Sequence, residues 1–234
     1  MLRSYFGSGI SFAIETGMVW KSHRKNPALF FVIVAVMVAI QACAPKQESE
    51  VGCNFVLNSI GQRVSWGAQT PVKLLVHESV PAQYNDALKS AAKTWNDLVG
   101  RQVIVIDQFG VSGLAEPSKD GLNVIHMMND WDEDRYRTEQ ARTSIYWQGA
   151  QIVEADIRIN DVGFDFSVSS PTPSGQVDFE SLMVHEFGHV LGLAHAEIDG
   201  SVMAATLARG PSPQALRRNI DPSVDYSNSL ACEY

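Results

Sequence analysis

Apolar and polar residues change their spacing along the chain, and the change separates strands from helices. The stretch Pro71-Val-Lys-Leu-Leu-Val-His77 alternates, which is the period of a half-buried strand. From Pro81 to Val99 the apolar residues Tyr84, Ala87, Leu88, Ala91, Ala92, Trp95 and Leu98 recur three and four apart, as on one helix face. Gly100 supplies the stop. Gln102–Ile106 and Leu122–Met127 are short apolar runs and read as strands. Ala141–Trp147 and Gln151–Asn160 form two more, with Gln148-Gly149-Ala150 as the hairpin turn between them. In the second, Ile152, Glu154, Asp156 and Arg158 share one face, and Val153, Ala155, Ile157 and Ile159 the other. Pro171-Thr-Pro-Ser-Gly175 is a loop, and a last helix is predicted from about Phe179 to Leu191, starting near Asp178. No internal repeat is visible. Strands and helices in this order predict an α+β domain built on one mixed, twisted sheet with two main helices.

The first forty residues follow a different pattern. Ala28 to Ile40 reads ALFFVIVAVMVAI, thirteen apolar residues without a charge. Lys21, His23, Arg24 and Lys25 precede it, and Ala42-Cys43 and a polar run to Glu50 follow. A spanning helix needs about twenty apolar residues. A basic end, a short apolar centre and a small-residue region therefore predict a secretory signal peptide over residues 1–42. Residues 1–17 are long for a basic leading region, and Met18, which opens MVWKSHRKNPALFF, is the more typical start. The segment Ile40-Gln41-Ala42-Cys43 resembles the lipobox of bacterial lipoproteins, with Gln41 as an unusual occupant of its position. That resemblance implies cleavage before Cys43 and lipidation of its thiol. Residues 43–50 would then be a lipidated tether, holding the chain on a membrane and facing the periplasm or the cell exterior. The alternative is a plain secretory signal in which Cys43 has no special role.

Composition narrows the partners. With 234 residues, 45% hydrophobic and 19% charged, the chain can fill one core and is too apolar to be disordered. A net charge of −8 leaves no basic patch to collect phosphates, which excludes nucleic acid as a main partner. Three cysteines are too few for a disulfide scaffold or a Cys-rich zinc module. With Cys43 lipidated, Cys53 and Cys232 remain, one near each end of the domain, and outside the cytosol they are a disulfide candidate. Two unpaired buried cysteines are the other reading.

The most specific chemistry lies in residues 185–203. His185 and His189 are four apart on the last predicted helix, so both imidazoles leave one face about a turn apart. At that spacing they can close on one zinc ion. Glu186, next to the first histidine, points aside and can reach water on the metal without being a ligand. Gly192 allows the chain to turn, and His195 returns a third imidazole to the same point. Three protein ligands leave a fourth position open, as in catalytic rather than structural zinc sites. Three of the six histidines lie within these eleven residues. A chance match of the whole pattern in this chain is on the order of 10⁻⁵.

The run HEFGHVLGLAH resembles the HExxHxxGxxH signature of the metzincin metallopeptidases. Met203, eight residues past His195, stands where the matrixin branch carries its Met-turn, and ARTSIYWQGAQIVEADIRIN looks like the matrixin edge strand and its neighbour. The resemblance implies a catalytic domain over residues 51–234, with a sheet-and-helix subdomain above a cleft. Below the cleft it implies a small C-terminal subdomain containing the Met-turn and a short helix. It implies His185, His189 and His195 as ligands of a single catalytic zinc, Glu186 as general base on the zinc-bound water, and Met203 beneath the metal. Substrate would lie extended along Thr143, Ser144, Ile145 and Tyr146, adding a strand to the sheet. The function so implied is a zinc metalloendopeptidase (EC 3.4.24 class) cutting extended protein or peptide segments. Its rival is a non-catalytic zinc-containing lipoprotein that binds peptides, which would have no need of Glu186.

Several positions depart from the matrixin pattern. Ala196 stands where serine is usual, and Ala204-Ala205 replaces the Tyr-Pro after the methionine. No cysteine-switch segment is present, and His77 and His126 read as isolated strand histidines rather than ligands of a second zinc. The acidic run Asp130-Trp131-Asp132-Glu133-Asp134, with Asp161 and Asp165, reads as a solvated loop. Many relatives bind calcium, but no spaced set of oxygen ligands supports it here.

Overall fold

The computed structural model describes residues 54–114, 117–132, 135, 137–221, 230 and 233–234. Five strands, β1 (Val72–His77), β2 (Ile104–Val111), β3 (Val124–Met128), β4 (Ala141–Gln148) and β5 (Gln151–Asn160), form one sheet in the order β2-β1-β3-β5-β4. All neighbours run parallel except β4, which pairs antiparallel with β5 and forms one edge. Two helices, α1 (Asn85–Val99) and α2 (Phe179–Val190), pack on each other and on the sheet. The short pair β6 (Phe166–Ser167) and β7 (Val177–Asp178) leads into α2. This is the expected α+β architecture, a mixed sheet with two main helices.

Local chemistry sets most boundaries. Val72, Leu74 and Val76 of β1 are buried while Lys73 is exposed, as the alternation requires. A 3-10 turn at Ala82–Tyr84 precedes α1 within the stretch predicted as helix from Pro81. Gly100 ends α1 at φ 77°, its N–H bonded to Asn96 O at 2.9 Å. The Asn96 side chain then splices the helix to β2: its Oδ1 accepts from Val103 N and Ile104 N, and its Nδ2 donates to Ile104 O. The strand expected over Gln102–Ile106 starts two residues later and runs on to Val111. Its polar second half is held by pairing with β1, across two register shifts, rather than by an apolar pattern.

The β5 alternation is present but both of its faces are covered. Glu154 and Asp156, on its polar face, are buried and serve as acceptors for the loop before β3 and for the first residue of β3. Glu154 accepts from Asp120 N at 3.1 Å and Gly121 N at 2.6 Å, and Asp156 Oδ1 accepts from Val124 N at 3.0 Å. Asp156 Oδ2 has no partner among the described residues, and burial pushes this carboxyl up to about 7.

His77 and His126 are not isolated, as the sequence suggested. Because β3 inserts beside β1, their rings stack with centroids 4.6 Å apart. Burial and the neighbouring His77 lower His126 to about 4. The expected signal segment, Cys43, Cys53 and Cys232 lie outside the described residues. A 3-10 turn at Pro213–Ala215 and the helical residue Leu230, whose carbonyl accepts from Tyr234 N at 2.7 Å, lie where the small C-terminal subdomain with its short helix was expected.

Candidate metal and catalytic centre

The helix α2 is apolar nearly all round, so it is buried through the centre of the domain. Asp178 caps its start, accepting from Ser181 N at 2.9 Å, and the buried carboxylate also pairs with Arg218. Hydrogen bonding to Arg218 and Ser181 holds Asp178 below the usual carboxylate range against the opposing effect of burial. At the other end, carbonyls that a helix terminus leaves unpaired find side-chain donors. Trp66 Nε1 donates to Val190 O at 2.7 Å and Tyr234 Oη to Leu191 O at 2.7 Å. Trp95 Nε1 donates to Val184 O at 2.8 Å, fixing α1 across the helix.

His185 and His189 leave one face of this fixed rod. The chain then reverses at Gly192, which has φ 95°. A Cβ there would also lie 2.5 Å from Val64 O, so both conformation and space require glycine. The reversal is strapped from outside by the first described residues. Val56 N donates to Gly192 O at 2.8 Å, Ala194 N to Asn54 O at 2.8 Å, and Asn54 Nδ2 to His195 O at 2.6 Å. His195 is thereby delivered to the other two histidines.

The rings converge through their Nε2 atoms: His189 Nε2 lies 3.0 Å from His185 Nε2 and 3.1 Å from His195 Nε2. Zinc–nitrogen bonds of about 2.0–2.1 Å in a tetrahedron place ligand atoms about 3.3–3.4 Å apart, so the triad fits one zinc ion within a few tenths of an ångström. The opposite ring atoms are occupied. His185 Nδ1 lies 2.7 Å from Val202 O and His189 Nδ1 2.7 Å from Leu193 O. A carbonyl acceptor puts the ring proton on Nδ1 and leaves the Nε2 lone pair free. Burial lowers both rings to about 4, so both are neutral at pH 7. Among the described residues, these three form the one group of three or more His, Cys, Asp or Glu side chains whose ligand atoms converge.

Met203 packs against α2. The stretch returns as Ala196 N donates to Met203 O at 2.8 Å, and Met203 is buried against α2 at Gly188, where any Cβ would collide with its Sδ. Gly188 thus lets the methionine approach the helix between the two histidines. Arg217 braces the same turn, its guanidinium donating to Ser201 O at 3.1 Å and Thr206 O at 3.0 Å.

Glu186 is buried, and burial pushes its carboxyl up. Its Oε2 accepts from Thr143 Oγ1 at 2.5 Å. Of the four residues expected on the substrate edge, Thr143 is therefore brought to Glu186. Ser144, Ile145 and Tyr146 continue along half-buried β4, which is indeed an edge strand. Asp132 of the acidic run pairs with Arg142 at 3.0 Å, which lowers its carboxyl.

Sequence reasoning missed Asn54, Arg217 and the specific bond of Thr143. A polar residue opposite fully buried Ile157 was the only signal for Thr143. Asn54 and Arg217 carried none, because Asn54 bonds residues some 140 positions away and Arg217 bonds loop carbonyls 11 and 16 positions back that no periodicity links to it.

Among solved structures, the crystal structure of metalloproteinase-II from Bacteroides fragilis is similar at 12% identity, with a TM-score of 0.40. The match covers 78% of this chain and 57% of that one, so the chain spans little more than half of its length. No curated protein matches the sequence. The matrixin family profile matches residues 46–221, which include the triad, Glu186, Met203 and the whole five-stranded sheet. With that match extending over most of its length, the chain belongs to the matrixin family of metallopeptidases.

Proposed function

We propose that this protein is a zinc-dependent endopeptidase that hydrolyses peptide bonds within extended protein segments. The observation that carries the reading is the meeting of three imidazole Nε2 atoms beside a buried, oriented Glu186. His185, His189 and His195 would hold the ion. A zinc ion bound there supplies Lewis acidity and an acidified water. Glu186 takes a proton from the attacking water and delivers it to the leaving amine. The exposed edge of β4 from Thr143 to Tyr146 aligns the substrate through main-chain hydrogen bonds, and Met203 supports the floor of the site. In the same proposal residues 1–42 direct export, and Cys43 carries the lipid that anchors the enzyme to a membrane outside the cytoplasm.

The test is digestion of a broad peptide library by the zinc-loaded protein with and without a chelator, beside Glu186→Gln. Cleavage that needs zinc and falls by several orders of magnitude in Glu186→Gln, with zinc content unchanged, is the expected result. A zinc-loaded protein that binds library peptides without cutting any of them overturns it.

A further inference from the structure

We propose that Thr143 is a positioning residue for Glu186, so that the strand which aligns the substrate also aims the proton-accepting carboxylate. The inference rests on the peptidase reading and extends it to a residue that touches neither metal nor scissile bond.

Three observations carry it. Thr143 Oγ1 donates to Glu186 Oε2 at 2.5 Å and lies 3.4 Å from Glu186 O, so one hydroxyl spans the side chain and main chain of the same residue. Among the described residues it is the only side chain hydrogen-bonded to this carboxylate, which leaves Oε1 without a protein donor and available to accept a proton. The hydroxyl itself is held firmly. Thr143 pairs with Ile157 in the β4–β5 ladder, and a β-branched side chain has few rotamers to choose from. A glutamate has three torsions, and an unsatisfied buried carboxylate would sample several of them. Fixing Oε2 on a strand-borne hydroxyl restricts the rotamers of Glu186 and so fixes where Oε1 is presented.

The placement also links binding to chemistry. β4 is hydrogen-bonded to β5 on one side, and its other side is a sheet edge. An extended peptide adding to that edge packs directly on the strand that carries Thr143. Substrate alignment and carboxylate alignment then share one rigid element, and a 1 Å error in either is costly to the rate.

The experiment compares Thr143→Val, which removes the hydroxyl at nearly constant shape, with Thr143→Ser, which keeps it, each with and without Glu186→Gln. A hydrogen bond to a charged group accounts for about a 10- to 100-fold change. Thr143→Val is expected to lower kcat by that factor, with KM within about threefold and zinc affinity unaltered. Thr143→Ser is expected to restore most of kcat. In the Glu186→Gln background, Thr143→Val should cost nothing further. Crystal structures of the zinc-loaded wild type and Thr143→Val supply a readout independent of turnover, with Glu186 leaving its wild-type rotamer only in the variant. Unchanged kcat, a loss confined to KM, an equal loss in the Glu186→Gln background, or an unmoved Glu186 each overturns the proposal. If the wild type cuts no peptide while Glu186 shifts in Thr143→Val, positioning stands and the peptidase reading falls.

Discussion

Replacing Gly192 by alanine tests how the third histidine is delivered. The residue has φ 95°, where an L side chain costs about 1–2 kcal/mol. The added Cβ would also meet Val64 O at 2.5 Å, Ile152 Cδ1 at 3.2 Å and Phe55 Cδ1 at 3.3 Å. The first of these is backbone and cannot swing aside, so overpacking adds about 1–3 kcal/mol. Gly192→Ala should therefore destabilise the protein by about 2–5 kcal/mol, a large share of the roughly 5–15 kcal/mol that holds a domain together. Gly200 offers the matched control. Its φ is 89°, but an added Cβ would meet nothing within 4 Å, so Gly200→Ala should show the conformational cost alone. Urea unfolding of the two variants, metal-free, isolates the packing component. Zinc titration should then show weaker binding in Gly192→Ala only, because His195 lies three residues beyond the distorted turn. Equal stability losses in the two variants would refute the reasoning.

Two further outcomes follow from other contacts. Asp156 has a folded-state pKa near 7, raised by burial, so the folded protein binds a proton more tightly than the unfolded chain. Stability relative to Asp156→Asn should therefore fall as pH rises from about 4 to 7 and level off above, read as unfolding free energies at pH 5 and 8; a flat difference contradicts the assignment. Asn54→Ala removes the amide that holds the carbonyls of Ala194 and His195, and should weaken zinc by about tenfold in competition with a chromophoric chelator while leaving the fold intact; undiminished affinity would show that the backbone pairing suffices.

Local patterning made the elements around the site legible. The spacing in α1, the alternation of β1 and β5, the helix start near Asp178 and the turn at Gly192 are each decided by residues within a few positions, and each stands where the pattern put it. The continuation of β2 past Ile106 was not legible, because Asp107 and Gln108 are exposed and only pairing to β1 keeps them extended. The stacked pair His77 and His126 was hidden for a related reason. Strand order β2-β1-β3 is not chain order, and neither residue's neighbours announce the other. At the site, the ligand triad was readable since eleven residues contain it. Its supports were not. The hydroxyl on Glu186, the guanidinium of Arg217 and the amide of Asn54 are set by tertiary packing, which periodicity does not report.

The pairing of Asn54–Val56 with Gly192–Ala194 makes the domain's N-terminal edge part of its metal centre. Two main-chain hydrogen bonds tie this segment to Gly192 and Ala194, and one amide ties it to the carbonyl of His195, which carries the third imidazole. Peeling this short strap away would free His195 first, while the two histidines on the buried helix keep their places.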